Sequence, residues 1–63
     1  MKKYYQVMVR HHFLDSTGIW DYMDGEYSGV IYSNKADANR ELKEAKKMIT
    51  DSSDYAFIEE IEN

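Results

Sequence analysis

The chain has 63 residues with twelve acidic and eight basic side chains, a formal charge of -4, no cysteine and no proline. A single domain of this size sits near the lower limit for folding unaided, and without cysteine neither a disulfide nor a thiolate metal site is available to staple it. No apolar run approaches the length of a membrane span, and Met1-Lys2-Lys3 leads into a strand pattern rather than the apolar core of a signal peptide, so a cytoplasmic location is expected.

Residues 4 to 13 alternate as a half-buried strand does. Tyr5, Val7, Val9, His11 and Phe13 fall on one face, expected to be the core side, and Tyr4, Gln6, Met8, Arg10 and His12 on the other. Asp15-Ser16-Thr17-Gly18 is a turn cluster, because Asp and Ser bond their own backbone and Gly accepts positive φ. Beyond it, either residues 14 to 26 form one long loop between two strands or Ile19 to Met23 is an extra short strand over 19-23 in a small ribbon, and an extended hairpin with this aromatic and acidic segment at its distal end is favoured. Asp24-Gly25 carries a two-residue turn signal. Tyr27 to Tyr32 reads as a second strand, with Gly29 marking a bulge or a close backbone approach.

The segment Asn34 to Thr50 has the clearest periodicity in the chain. Ala38, Leu42, Ala45 and Ile49 fall at i, i+4, i+7 and i+11, a narrow apolar stripe on one side of a helix. Ser33 or Asn34 is suited to cap it, Asp37 and the pair Lys46 and Lys47 complement the helix dipole, and Arg40 is spaced to pair with Glu44. Tyr55 to Ile61 reads as the last strand, with Ala56 and Ile58 on one face and Tyr55, Phe57 and Ile61 on the other. The order strand, strand, helix, strand predicts one α+β domain of two layers. A right-handed crossover places the last strand beside the first, in an antiparallel sheet of order 2-1-3 with one face open.

Candidate chemistry is sparse. His11 and His12 are adjacent in a strand, point to opposite faces and so do not chelate one ion; a site built from His12 and Asp15 is the residual metal or small-ligand reading. The serines and Thr17 sit where caps and turns explain them, and the three glycines are too dispersed for a phosphate loop. Neither enzymatic activity nor a cofactor is expected. The acidic balance argues against direct nucleic-acid binding, and Glu44 interrupts the basic helix face of Arg40, Lys43, Lys46 and Lys47.

The strongest functional candidate is Trp20, Asp21, Tyr22, Met23, Asp24, Glu26 and Tyr27, where aromatic residues and Met, enriched in binding hot spots, interleave with acids. A second acidic patch is expected at Glu59, Glu60 and Glu62, and a dimer face at Tyr4, Met8 and Tyr32 on the open side of the sheet. These residues point to an acidic protein-interaction module with a basic protein partner, or to a homodimer. In size, acidity and lack of a catalytic constellation the chain is similar in type to accessory proteins of bacteria, phages and mobile elements, including inhibitors of host defence nucleases. That similarity implies a partner that handles nucleic acid, and rests on no motif.

Overall fold

The computed structural model describes residues 2-63. Its elements are β1 (Lys3–Leu14), β2 (Trp20–Tyr32), α1 (Lys35–Met48) and β3 (Asp54–Glu62). The three strands form an antiparallel sheet in the order β2-β1-β3, with α1 on one face. This is the ββαβ two-layer arrangement expected from the sequence.

The helix follows from its caps and its stripe. The Asn34 side chain accepts the Ala36 N–H at 2.8 Å, and the Ile49 N–H closes the last turn on Ala45 O at 3.1 Å. Ala38 and Ala45 are fully buried, while Leu42 and Ile49 are half-buried. Small side chains let the helix approach the sheet closely, so the core is thin: Val7, Ala45 and Ala56, with Tyr27, Leu42, Ile49 and Ile58 packed around them. On the solvent side Arg40 lies 3.8 Å from Asp37, one turn back, and the expected pair with Glu44 gives way to this one.

Residues 20-23 are the continuous start of β2, so the extended hairpin is the observed form and no separate short strand exists there. The turn lies at Asp15 to Ile19. The Asp15 N–H donates to Ile19 O at 2.9 Å, and Asp15 Oδ1 accepts from the Thr17 N–H, the Thr17 hydroxyl and the Ile19 N–H. Gly18 takes the positive φ of 81° that this turn requires. Asp24-Gly25, expected as a turn, instead lies inside the ladder opposite Arg10 and Val9. The hairpin closes at Asp15 to Ile19, and Asp24 pairs across the sheet with Arg10 instead of turning the chain.

The register of β1 with β2 breaks once. Gln6 pairs with Ile31 and Met8 with Glu26, so two steps along β1 meet five along β2, and residues 27-30 bulge outward opposite Val7. Gly29 has φ 81°, the Ser28 hydroxyl oxygen accepts the Val30 N–H at 3.3 Å, and Tyr27 folds down onto the core. The excess of three residues is odd, so it reverses the facing of β2. Tyr32, expected on the open face, therefore lies on the helix side, where its hydroxyl donates to Glu41. Ile31 takes the open face in its place.

The helix rises about 21 Å over its fourteen residues, whereas twelve residues of β1 span roughly 40 Å. The strand β3 ends its pairing at His11. The hairpin beyond, His12 to Leu14 against Trp20 to Tyr22, is a two-stranded ribbon that overhangs the helix. The molecule is accordingly a thin plate of 42 × 26 × 13 Å.

Candidate functional site

Residues directly opposite in an antiparallel ladder share a face, so the register defines the uncovered side of the sheet row by row. From the hairpin tip inward the rows are Trp20 with Leu14, Tyr22 with His12, and Asp24 with Arg10 and Tyr55. Then come Glu26 with Met8 and Phe57, Ile31 with Gln6 and Glu59, and Tyr4 with Ile61. At the last of these, Tyr4, Ile31, Ile61, Glu62 and Asn63 line an open hollow of about 310 Å³.

Arg10 organises the centre of this face. Its Nε and Nη2 donate to the two carboxylate oxygens of Asp24 at 2.7 and 2.9 Å, and its Nη1 donates to the Tyr55 hydroxyl at 2.9 Å. The guanidinium carbon lies 4.2 Å from the Tyr22 ring centre, 5.1 Å from Phe57 and 5.7 Å from Tyr55. The planar fork thus uses both its hydrogen-bonding edge and its flat faces. The hydrogen bond from Arg10 holds the Asp24 carboxyl below the usual carboxylate range, and the same bond raises the guanidinium further. His12 lies between the Tyr22 and Tyr55 rings at 6.0 and 5.8 Å, with Nδ1 3.0 Å from Ser53 O.

Among the paired residues of this face Arg10 is the one lysine or arginine, and its donors are spent on this clamp rather than presented to a phosphate. It also fixes the aromatic rings without covering them. Leu14, Trp20, Tyr22, Ile31 and Tyr55 remain 44 to 64% exposed. Monomeric proteins rarely leave so continuous an apolar surface open.

The sequence-predicted residues divide between the two sides. Trp20, Tyr22, Asp24 and Glu26 share the open face with Tyr4, Met8 and Glu59. Asp21 and Met23 point to the reverse, opposite Phe13 and His11, and Tyr27 is drawn into the bulge beside the core. The second acidic patch is split as well: Glu60 and Glu62 lie on the reverse within 3.3 and 3.9 Å of Lys3 Nζ. Strand alternation separates neighbours such as Glu59 and Glu60, which is why acids adjacent in sequence do not make one cluster.

Histidine chemistry is similarly dispersed. His11 Nδ1 meets Asp54, His12 meets the Ser53 carbonyl, and Asp15 is engaged in its turn, so the His12 and Asp15 combination considered from sequence is not assembled. Among the described residues no group of three or more histidines and acids is placed to hold a metal ion. Two serine hydroxyls are likewise engaged, Ser28 donating to Glu41 on α1 and Ser53 to Asp51 two residues before it.

Sequence reasoning missed Arg10, His12, Tyr55, Phe57, Leu14 and Ile31 as parts of the site. Alternation already set Arg10 and His12 beside Met8 and set Tyr55 beside Phe57; joining the two sets needed the register of β1 with β3. No family model matches the chain, and no curated protein or solved structure is significantly similar to it.

Proposed function

We propose that this chain is a small, non-enzymatic protein-interaction module that docks a protein partner on its open sheet face and hairpin end. The observation that carries the reading is the row of exposed Trp20, Leu14, Tyr22 and Tyr55 set on an internal Arg10–Asp24 clamp. Rigid aromatic groups lose little entropy on binding and dominate interface energetics. Glu26 and Glu59 flank this surface and form no ion pair among the described residues. They select a partner that is basic around an apolar patch. A more specific form is an acidic inhibitor, of phage or mobile-element type and acting in the cytoplasm, that occupies the basic channel of a nucleic-acid-handling protein such as a defence nuclease. In that form Glu26 and Glu59 are the acids of the docking side, Asp24 being held by Arg10.

The test is affinity capture from the native host with the wild type and with a Trp20→Ala/Tyr22→Ala variant, at low and high salt. A partner retained by the wild type, lost with the variant and weakened by salt supports the reading. Identical proteins retained by both chains would refute it. The second reading is a homodimer through the same open face, favoured by its flatness and by the thin core. It places Glu26 and Glu59 of two copies in one interface. Sedimentation of the wild type decides it, a dimer supporting and a monomer at micromolar concentration opposing.

A further inference from the structure

The outer edge of β2 is unpaired along its regular portion, and the hydrogen-bond phase of the hairpin says which groups face outward. In an antiparallel pair, residues alternate between exchanging backbone bonds with the partner strand and turning those groups away. The Asp15 N–H to Ile19 O bond makes that pair hydrogen-bonded. On the other side of β1, the His12 N–H donates to Ser53 O at 3.0 Å, which sets the complementary phase. Counting inward, the backbone N–H and C=O groups of Trp20, Tyr22, Asp24 and Glu26 point away from β1. One of these amides has found a substitute acceptor: Asp21 Oδ1 takes the Tyr22 N–H at 2.8 Å, where the carbonyl of an adjoining strand would otherwise sit.

Natural sheets blunt such edges with lysine, proline or a bulge. Trp20 to Glu26 has none of these: its seven residues pair with β1 in unbroken register and carry Asp21, Asp24 and Glu26 with no basic side chain. Trp20, Tyr22 and Met23 supply exposed apolar anchors on both faces. On the β3 edge, by contrast, two of the acids, Glu60 and Glu62, are already matched by Lys3.

We propose that this edge accepts an extended, basic segment of a partner protein by strand addition, extending the sheet to four strands. The proposal rests on the protein-interaction reading and specifies its mode. Backbone hydrogen bonds from the four outward residues supply the docking. Apolar side chains of the incoming segment meet Trp20 and Tyr22 on the open face, and the lysines or arginines that alternate with them meet Asp21 on the reverse. Charge selects this occupant over a second copy. Two β2 edges brought together would set acidic strands side by side with no lysine or arginine on either, and like charges across a ladder are unfavourable.

The experiment uses the full chain and a synthetic heptapeptide alternating lysine and valine, with amide hydrogen exchange read by NMR. Binding should slow exchange at Trp20, Tyr22, Asp24 and Glu26 by about tenfold when the peptide is at about ten times Kd. The same peptide N-methylated on alternate amides should lose that protection, and a glutamate–valine peptide should not bind. Four results would each overturn the proposal: no binding at millimolar peptide, equal protection by the glutamate peptide, self-protection that rises with protein concentration alongside a dimer in sedimentation, or binding that leaves these amides unprotected. In the last case shifts at Tyr22, Tyr55 and Phe57 would show a partner on the open face, so strand addition would fail while the interaction reading stood. Failure of the interaction reading itself is judged by the Trp20 and Tyr22 capture comparison.

Discussion

Substitution of Gly29 by alanine tests the bulge that decides which residues of β2 reach the open face. Gly29 has φ 81°, where an L side chain costs roughly 1 to 2 kcal/mol. The added Cβ would lie 3.4 Å from Glu26 Oε2, the tip of a flexible side chain, so backbone strain dominates over crowding. Gly25 is the internal control: it sits in regular ladder opposite Val9 and a Cβ there meets nothing within 4 Å. Alanine at Gly25 removes the entropic disadvantage of glycine in a strand and should stabilise by about 0.5 kcal/mol. The two variants should therefore differ by about 2 kcal/mol, or roughly 10 °C in Tm for a domain of this size. Urea unfolding followed by far-ultraviolet circular dichroism, with the slope m unchanged, measures it. Equal stability for Gly29→Ala and Gly25→Ala, or a gain for the former, would refute the assignment of the bulge to a left-handed Gly29.

Val7→Ala should cost about 2 kcal/mol, from two methyl groups lost at a site with no exposure plus the cavity they leave, and chemical denaturation reads it directly. Asn34→Ala should cost about 1 kcal/mol by freeing the Ala36 amide, with amide exchange accelerated in the first turn of α1. Stability should also fall in acid. Asp15, held low chiefly by the Thr17 hydroxyl, Asp24, held low by Arg10, and Asp51, held low by the Ser53 amide and hydroxyl, all have carboxyls below their ordinary 3.8. A folded carboxyl that is depressed stabilises at pH above its unfolded value, and that stability disappears as pH drops below 3.8 toward the folded value. Urea midpoints across that range should decline on the acid side and stay level on the neutral side. In Arg10→Met, NMR titration should show the Asp24 carboxyl returning upward while Asp15 stays in place.

The helix and the buried sides of β1 and β3 were legible because each depends on a local period, and the sheet order because a right-handed crossover sets the last strand beside the first. Ala38 and Ala45 reveal themselves by spacing, and Val7, Ala56 and Ile58 by alternation. The facing of Tyr32 was not legible, because it depends on the parity of a bulge: Gly29 announces an irregularity, but the three extra residues emerge only from the pairing of Gln6 and Met8. Asp24-Gly25 misled for a related reason. A turn signal is a local preference, and here bidentate pairing with Arg10 across the ladder overrides it. Within the candidate site, Trp20 and Tyr22 were found by composition, whereas Tyr55, Phe57 and Arg10 meet through contacts separated by up to 45 residues in sequence.

The overhanging hairpin also governs how the protein behaves in a hydrodynamic measurement. Its radius of gyration is 13.3 Å, whereas a compact chain of this length would have about 10.6 Å, and about 13 Å is typical of a 100-residue globule. A monomer with this outline elutes early from a sizing column and mimics a larger particle. Sedimentation equilibrium or light scattering, which weigh the particle rather than size it, will therefore report fewer subunits than gel filtration suggests.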